Sequence, residues 1–240
     1  MRNFLNKIKN GVFLTATDTE VGKTAVAASL AAVLRQRGWD IGVMKPIASG
    51  CMSQEEKLVA EDAECLKKAA NCEDSVDLVC PVRLKDPLAP TVAAERAHTT
   101  IDLENVRSAY HTLRKKHRCL IVEGIGGILV PITPTLLIAD LAVEFGLPVI
   151  IVARPKLGTI NHTLLTIEAS RQRGLDVLGV IINRYPQESP GLAEVTSPKE
   201  IERCGKVPIL AILREDPCVD IARCKLGSLP SELSTQIADN

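Results

Sequence analysis

The 240 residues suffice for one sizeable core, and 46% of them are hydrophobic. Lysine plus arginine equals aspartate plus glutamate at 29 each, so no net charge draws the chain to nucleic acid or an anionic membrane, and any phosphate must be gripped locally. The few aromatics (Phe4, Phe13, Trp39, Tyr110, Phe145, Tyr185) are too scattered for a base-stacking platform, no apolar run nears the roughly 18 residues of a membrane span, and the eight cysteines form no CxxC pair. The expectation is a soluble, cytoplasmic protein with reduced thiols and neither nucleic acid nor membrane as partner.

GVFLTA from Gly11 predicts a buried strand, and TATDTEVGKT at residues 15–24 follows from its end. Lys23 to Arg37 reads as an Ala-rich helix closed by Gly38. IGVMKPIA from Ile41 predicts the next strand, Glu55 to Ala70 and Leu103 to Lys116 the next helices, and CLIVEG from Cys119 and PVIIVA from Pro148 two more strands. A helix from Thr159 to Arg173 then stops at Gly174, and DVLGVIIN from Asp176 and VPILAIL from Val207 complete the strands. Basic residues beside the closing glycines are the expected C-terminal signals. Continuous apolar, β-branched runs alternating with helices predict an α/β fold, a mostly parallel sheet flanked by helices on both faces. One domain over residues 1–240 is expected, and the stretch after about 214, rich in Ser, Pro and charge, is its least defined part.

Ligands on such sheets bind beyond the carboxyl ends of the strands. Thr19 to Thr24, Lys45 to Ser49, Glu123 to Gly127, Lys156 to Asn161 and Asn183 each follow such an end in this reading. TATDTEVGKT has the strand-to-helix context of a phosphate loop: backbone N–H groups cradle phosphates, Lys23 reaches the terminal ones, and Thr24 offers a hydroxyl to magnesium. Lys45 would bring a second positive charge to the same edge. Glu123 ends an apolar run, where a carboxylate is costly unless a cation meets it, and Mg²⁺ is the natural cation beside a nucleotide. Asp62 by itself reads as a solvated helix residue. There is no HExxH, no GxSxG and no GxGxxG strand-to-helix turn, which disfavours metallohydrolase, acyl-transfer and dinucleotide-binding readings.

Together, TATDTEVGKT, KPIASG at residues 45–50, Asp62, the PxAP of Pro87 to Pro90, VEGIGG at 122–127, KLGTIN at 156–161 and GVIIN ending at Asn183 resemble dethiobiotin synthetases in order and spacing. The resemblance implies a P-loop NTPase-like, three-layer fold, a homodimer, ATP as co-substrate with Mg²⁺, and conversion of diaminopelargonate and CO₂ into dethiobiotin. It makes Glu20, Val21, Gly22, Lys23, Thr24 and Ala25 the ATP-binding loop, with Glu123, Gly124, Ile125 and Gly126 beside it and Asn183 and Arg184 at adenine. Thr24, Asp62 and Glu123 would surround the metal. Lys23 and Lys45 would be catalytic, facing the transferred phosphoryl group and the carbamate. Thr19, Lys45 and Ser49 would lie near the diamine, and Gly158, Thr159, Ile160 and Asn161 would hold the substrate carboxylate of the neighbouring subunit. The chain departs from the pattern at Ala16, where typical members have glycine, and at Ala211 to Arg214, where they have G-x-I-P. The alternative, a partition- or septum-positioning-type ATPase switch, places a second lysine six residues before the loop lysine, and here that position is Thr17.

Overall fold

The computed structural model describes residues 2–55 and 57–239. Strands β1 (Gly11–Ala16), β2 (Ile41–Met44), β3 (Cys119–Gly127), β4 (Val149–Ala153), β5 (Val177–Tyr185) and β6 (Ile209–Arg214) form a parallel sheet in the order β6-β5-β4-β1-β3-β2. The main helices are α1 (Lys23–Gln36), α2 (Glu61–Ala70), α3 (Leu103–Lys116), α4 (Ile138–Phe145), α5 (Thr159–Gln172), α6 (Leu192–Gly205) and α7 (Leu229–Asp239). Both faces of the sheet are covered, as the apolar runs required. Val12, Leu14, Ile121, Ile150 and Val152 face one core with α1, α2 and α7, whereas Phe13, Leu120, Val122, Val149 and Ile151 face the other with α3, α4, α5 and α6. The alternation within single strands is the two-residue period of the pleat. Gly11 is required where β1 meets β3: its φ is 129°, and a Cβ there would lie 2.3 Å from the Leu120 carbonyl oxygen.

Several expectations need correction. The second strand stops at Met44, because the backbone N–H of Lys45 turns away to the Val79 carbonyl, and Ile47–Ala48 pairs with Val82–Arg83 instead. The helix expected from Glu55 starts at Glu61; Met52–Gln54 and Lys57–Val59 form an antiparallel pair before it. Glu123 and Asn183 do not follow their strands but lie inside them. At Glu123 the pairing of β3 with β1 slips, from Leu14 opposite Glu123 to Ala16 opposite Gly127, so the extra residues bulge over the sheet edge. The stretch after residue 214 is ordered structure: Leu229, Leu233 and Ile237 of α7 are buried against the α1 side of the sheet.

Candidate functional site

Residues 17–22 connect β1 to α1 at the carboxyl edge of the sheet. The turn is made at Glu20, with φ 57°, and at Gly22, with φ 84°. Gly22 is needed twice over, since a Cβ there would also fall 2.2 Å from Asn183 Nδ2. That nitrogen donates to the Val21 carbonyl at 2.9 Å, tying the loop to β5. Ala16, by contrast, is the last residue of β1 and its φ lies outside the left-handed region, so the methyl in place of glycine costs the backbone nothing there.

Four charged side chains, from α1, α2, β3 and the turn after β2, converge beside this loop. Lys45 Nζ lies 2.7 Å from Asp62 Oδ2 and 2.7 Å from Glu123 Oε1, and 3.4 Å from the Gly124 carbonyl oxygen. Thr24 Oγ1 donates to the same Glu123 oxygen at 2.7 Å. Lys23, the first residue of α1, is buried like Lys45 and Glu123, whereas Asp62 and Thr24 are half-buried. Burial first, and the neighbouring Lys45 second, bring the Lys23 ammonium down to about 8, with Glu123 and Asp62 pulling the other way. For Lys45 burial alone would do the same, but the Glu123 and Asp62 carboxylates outweigh it and hold the ammonium above its ordinary range. Burial also works against the Asp62 carboxylate, and Lys45 overrides it, so Asp62 stays below its ordinary value. At Glu123 burial is the largest influence and is opposed chiefly by Lys45; we read the pair as charged, because Thr24 and Lys45 both donate to one carboxylate oxygen.

The donors around this point suit a hard cation. Thr24, Asp62 and Glu123 offer oxygen only, and Glu123 Oε2 is buried with no hydrogen-bond partner among the described residues. Gly124, Ile125 and Gly126 continue β3 beside it, with Gly126 at φ 58°. The structure thus brings together Lys23, Thr24, Lys45, Asp62 and Glu123, including the aspartate that the sequence pattern alone left on a solvated helix face.

Two clefts flank the cluster. One, of about 460 Å³, is lined by Gly22, Ala25, Asn183 and Arg184 and closed by Arg214 at the end of β6 and by residues after it, among them Asp216, Pro217 and Ile221. Arg214 ends the stretch that the family pattern singled out, whereas Asp216, Pro217 and Ile221 were missed in the sequence; their one signal was their position directly after the last strand. The other, of about 560 Å³, runs from Thr17, Asp18 and Thr19 to Leu129, His162 and Leu165. Ser49 stands half-buried just after Ile47–Ala48. Gly158 to Asn161 start α5 at the surface: Gly158 is its N-cap with φ 96°, Ile160 is half-buried, Asn161 is exposed, and the neighbouring Leu157 is 91% exposed. Thr159 is turned inward, its buried hydroxyl without a partner.

A parallel α/β sheet with this strand–loop–helix at its carboxyl edge defines a P-loop nucleotide-binding protein. The profile of the AAA-domain family matches residues 10–222. Curated relatives include the ATP-dependent dethiobiotin synthetases BioD of Thermodesulfovibrio yellowstonii, 40% identical with 86% of this chain and 89% of that protein covered, and of Methanocaldococcus jannaschii, 41% identical with 88% and 98% covered. That of an Anaeromyxobacter strain is 41% identical, with 95% of this chain and 98% of the relative covered. The chain belongs to the dethiobiotin synthetase family within this P-loop class. Among solved structures, the MinD cell division protein of Aquifex aeolicus aligns with a TM-score of 0.60 at 16% identity, covering 95% of each chain. A ParA family ATPase from Chlorobium tepidum aligns at 0.57 and 15% identity, covering 96% of this chain and 97% of that one. At such identities these two show the fold alone.

Proposed function

We propose that the chain is an ATP-dependent ligase that closes the cyclic urea of dethiobiotin from diaminopelargonate, CO₂ and ATP. The observation that carries this reading is the convergence of Lys23, Lys45, Thr24, Asp62 and Glu123 beside the phosphate loop, in a chain of this family. One amine of the diamine takes up CO₂ as a carbamate. A carbamate oxygen accepts the γ-phosphoryl group, and the second amine attacks the carbonyl carbon and expels phosphate. No protein nucleophile is needed; the transfer needs in-line positioning and positive charge where negative charge develops. Lys23 and Lys45 are assigned to that task, with Thr19, Lys45 and Ser49 near the diamine. Asn183 and Arg184 are assigned to the adenine end of the 460 Å³ cleft.

Mg²⁺ is proposed on charge as well as on donors. Two ammonium groups face two carboxylates, so the cluster carries no surplus positive charge for a triphosphate. Thr24, Asp62 and Glu123 would hold the ion, and when bound it would neutralise phosphate oxygens. The homodimer is proposed from Gly158, Thr159, Ile160 and Asn161, a solvent-facing helix start that would take the substrate carboxylate of the other subunit. Leu129 and Leu165, 50% and 57% exposed, line the adjacent cleft and would be covered by that contact. A cytoplasmic location is proposed as well; among the described residues no helix is long and apolar enough to cross a membrane. Thr17, at the position of the switch proteins' second lysine, argues against the partition-type alternative.

Phosphate release from ATP should require both diaminopelargonate and bicarbonate; full release without the diamine would overturn the synthetase reading in favour of the switch. In the same assay Asp62→Asn and Glu123→Gln should raise the half-saturating Mg²⁺ by about tenfold, each removing a charged oxygen ligand. For the dimer, Lys45→Ala and Asn161→Asp would disable different subunits' contributions to one site. In an equal mixture of the two inactive variants about half of the dimers are mixed and each has one intact site, so about a quarter of wild-type sites should return, and no regain with mixed dimers verified by mass refutes the shared site.

A further inference from the structure

Farther along α2 from the ATP cluster lies a third, open cleft of about 400 Å³, lined among others by Cys65, Cys72, Cys224, Lys68 and Ile221. Cys65 is on α2, one turn after Asp62, and is only 1% exposed. Cys224 belongs to the segment between β6 and α7 and is half-buried. Its position is set by a tight turn: Asp220 and Lys225 exchange backbone hydrogen bonds of 2.9 and 2.7 Å, and the Cys224 N–H donates to the Ile221 carbonyl at 2.9 Å. The two sulfurs are 2.8 Å apart, and the Cys224 thiol also donates to the Cys65 carbonyl at 3.2 Å. Two sulfurs do not pack that closely by dispersion alone. Closing 2.8 Å to the roughly 2.05 Å of a bond takes less than an ångström of movement.

We propose that Cys65 and Cys224 form a reversible disulfide that staples the segment between β6 and α7 to α2. The oxidant is a small-molecule disulfide of the glutathione class. Cys224, at the cleft wall, loses its proton and attacks one sulfur, giving a mixed disulfide and releasing one small thiol. Cys65 then attacks the Cys224 sulfur, its proton leaving with the second small thiol. Two protein thiols are oxidised, one small disulfide is reduced to two thiols, and no other redox partner is needed. Burial keeps Cys65 from meeting the oxidant first, and the 2.8 Å between the sulfurs places it to attack the mixed disulfide on Cys224. Cys72 does not compete, since its thiol donates to Asp74 Oδ2 at 3.1 Å.

The bond would join residues 159 apart in the chain. Ile221 lines both this cleft and the 460 Å³ cleft assigned to adenine, so the staple braces one wall of the second from behind. Since little movement is required, the expected effect falls on stability and on the mobility of residues 216–228.

The test treats the whole purified chain with glutathione disulfide, quenches with iodoacetamide and measures intact mass and melting temperature. Labelling of the unfolded, quenched protein should fall from eight cysteines to six, peptide mapping should join Cys65 to Cys224, and the melting temperature should rise by about 5–10 °C, reversibly with dithiothreitol. Cys65→Ser should trap the glutathione adduct on Cys224. Cys224→Ser, at the half-buried position, should fold and show neither linkage nor shift. A wild-type protein that keeps all eight thiols, keeps glutathione on Cys224, links Cys224 to Cys72 instead, or forms the bond without a rise in melting temperature overturns the proposal.

Discussion

At the phosphate end of the proposed ATP cleft, Lys23, Lys45, Asp62 and Glu123 come from α1, the turn after β2, α2 and β3; Lys45 pairs with both carboxylates, and Lys23 lies within their electrostatic reach. At the other end, Asn183 and Arg184 of β5 face residues 215–221, which belong to no long element and are held mainly by turn hydrogen bonds such as Cys218 N–H to Asp216 Oδ1 at 2.8 Å and Ser228 N–H to Asp216 Oδ2 at 2.7 Å. Charge buried on regular elements is expensive to disturb, because removing one partner strands the others. A wall made of turns tolerates change. The first end is built to act on charge, and the second to accept a shape.

The sharpest way to break this contrast is Lys45→Ala. With its charge needed as the phosphoryl group moves, turnover should fall by about 10²–10³-fold while ATP affinity changes little. The variant also leaves Asp62 and Glu123 facing each other, so it should lose about 3 kcal/mol of folding stability. Nucleotide affinity, turnover and denaturant unfolding on one preparation check all three; equal losses of rate and affinity would make Lys45 a ground-state binder.

Lys23 sharpens the contrast through pH. Its folded value of about 8 lies below the 10.5 of the unfolded chain, so between them the unfolded chain holds a proton that the folded one has released. Burying the charged form therefore costs stability below pH 8, and that cost fades as pH rises through the window. ATP acts the other way, since phosphate needs the ammonium. Its apparent Kd should be flat below pH 8 and rise towards tenfold per unit above it, and Lys23→Arg should remove the rise. Titration calorimetry from pH 7 to 9.5 measures this; a flat profile in the wild type would mean that Lys23 stays charged throughout.

The smallest effect is expected at the joint between the two ends. Asn183→Ala leaves the Val21 carbonyl without its donor and should raise the KM for ATP about five- to tenfold, with kcat within about twofold and a loss of about 1–2 kcal/mol in stability. Steady-state kinetics and thermal melts decide it; a large fall in kcat would place Asn183 in the chemistry.

The phosphate end was far more legible in the sequence than the base end, and the reason is physical. A loop that wraps phosphates has to put Gly22, Lys23 and Thr24 in fixed order between a strand and a helix, and a buried strand writes a continuous apolar run; both leave marks in consecutive residues. Asp62 joined the cluster only through the family resemblance, because nothing in its neighbours tells that Lys45 lies 2.7 Å away. The helix around it is shorter than the sequence suggests, since the charges before Asp62 suit a helix, whereas Lys57–Val59 pairs with Met52–Gln54. Helix α4 was missed because Ile138–Phe145 is short and mostly apolar, and its closing signal, Gly146 at φ 62°, went unread. Pro198 inside α6 hid that helix, whereas α7 had an available signature in Leu229, Leu233 and Ile237 at four-residue spacing.

The sheet order also fixes when the protein can first hold a ligand during its own synthesis. β1 is central, and its neighbours β3 and β4 are translated long after it. The phosphate loop that β1 carries is tied down only once Asn183 has emerged, and α1 is fastened from behind later still, when Arg37 Nη2 finds the Ser234 carbonyl at 3.0 Å. A growing chain therefore carries an apolar strand and an unformed loop through most of translation, and ATP cannot nucleate its folding. The nucleotide stabilises only the finished fold, so ATP should raise the melting temperature of the whole chain and leave a chain ending before Asn183 unchanged.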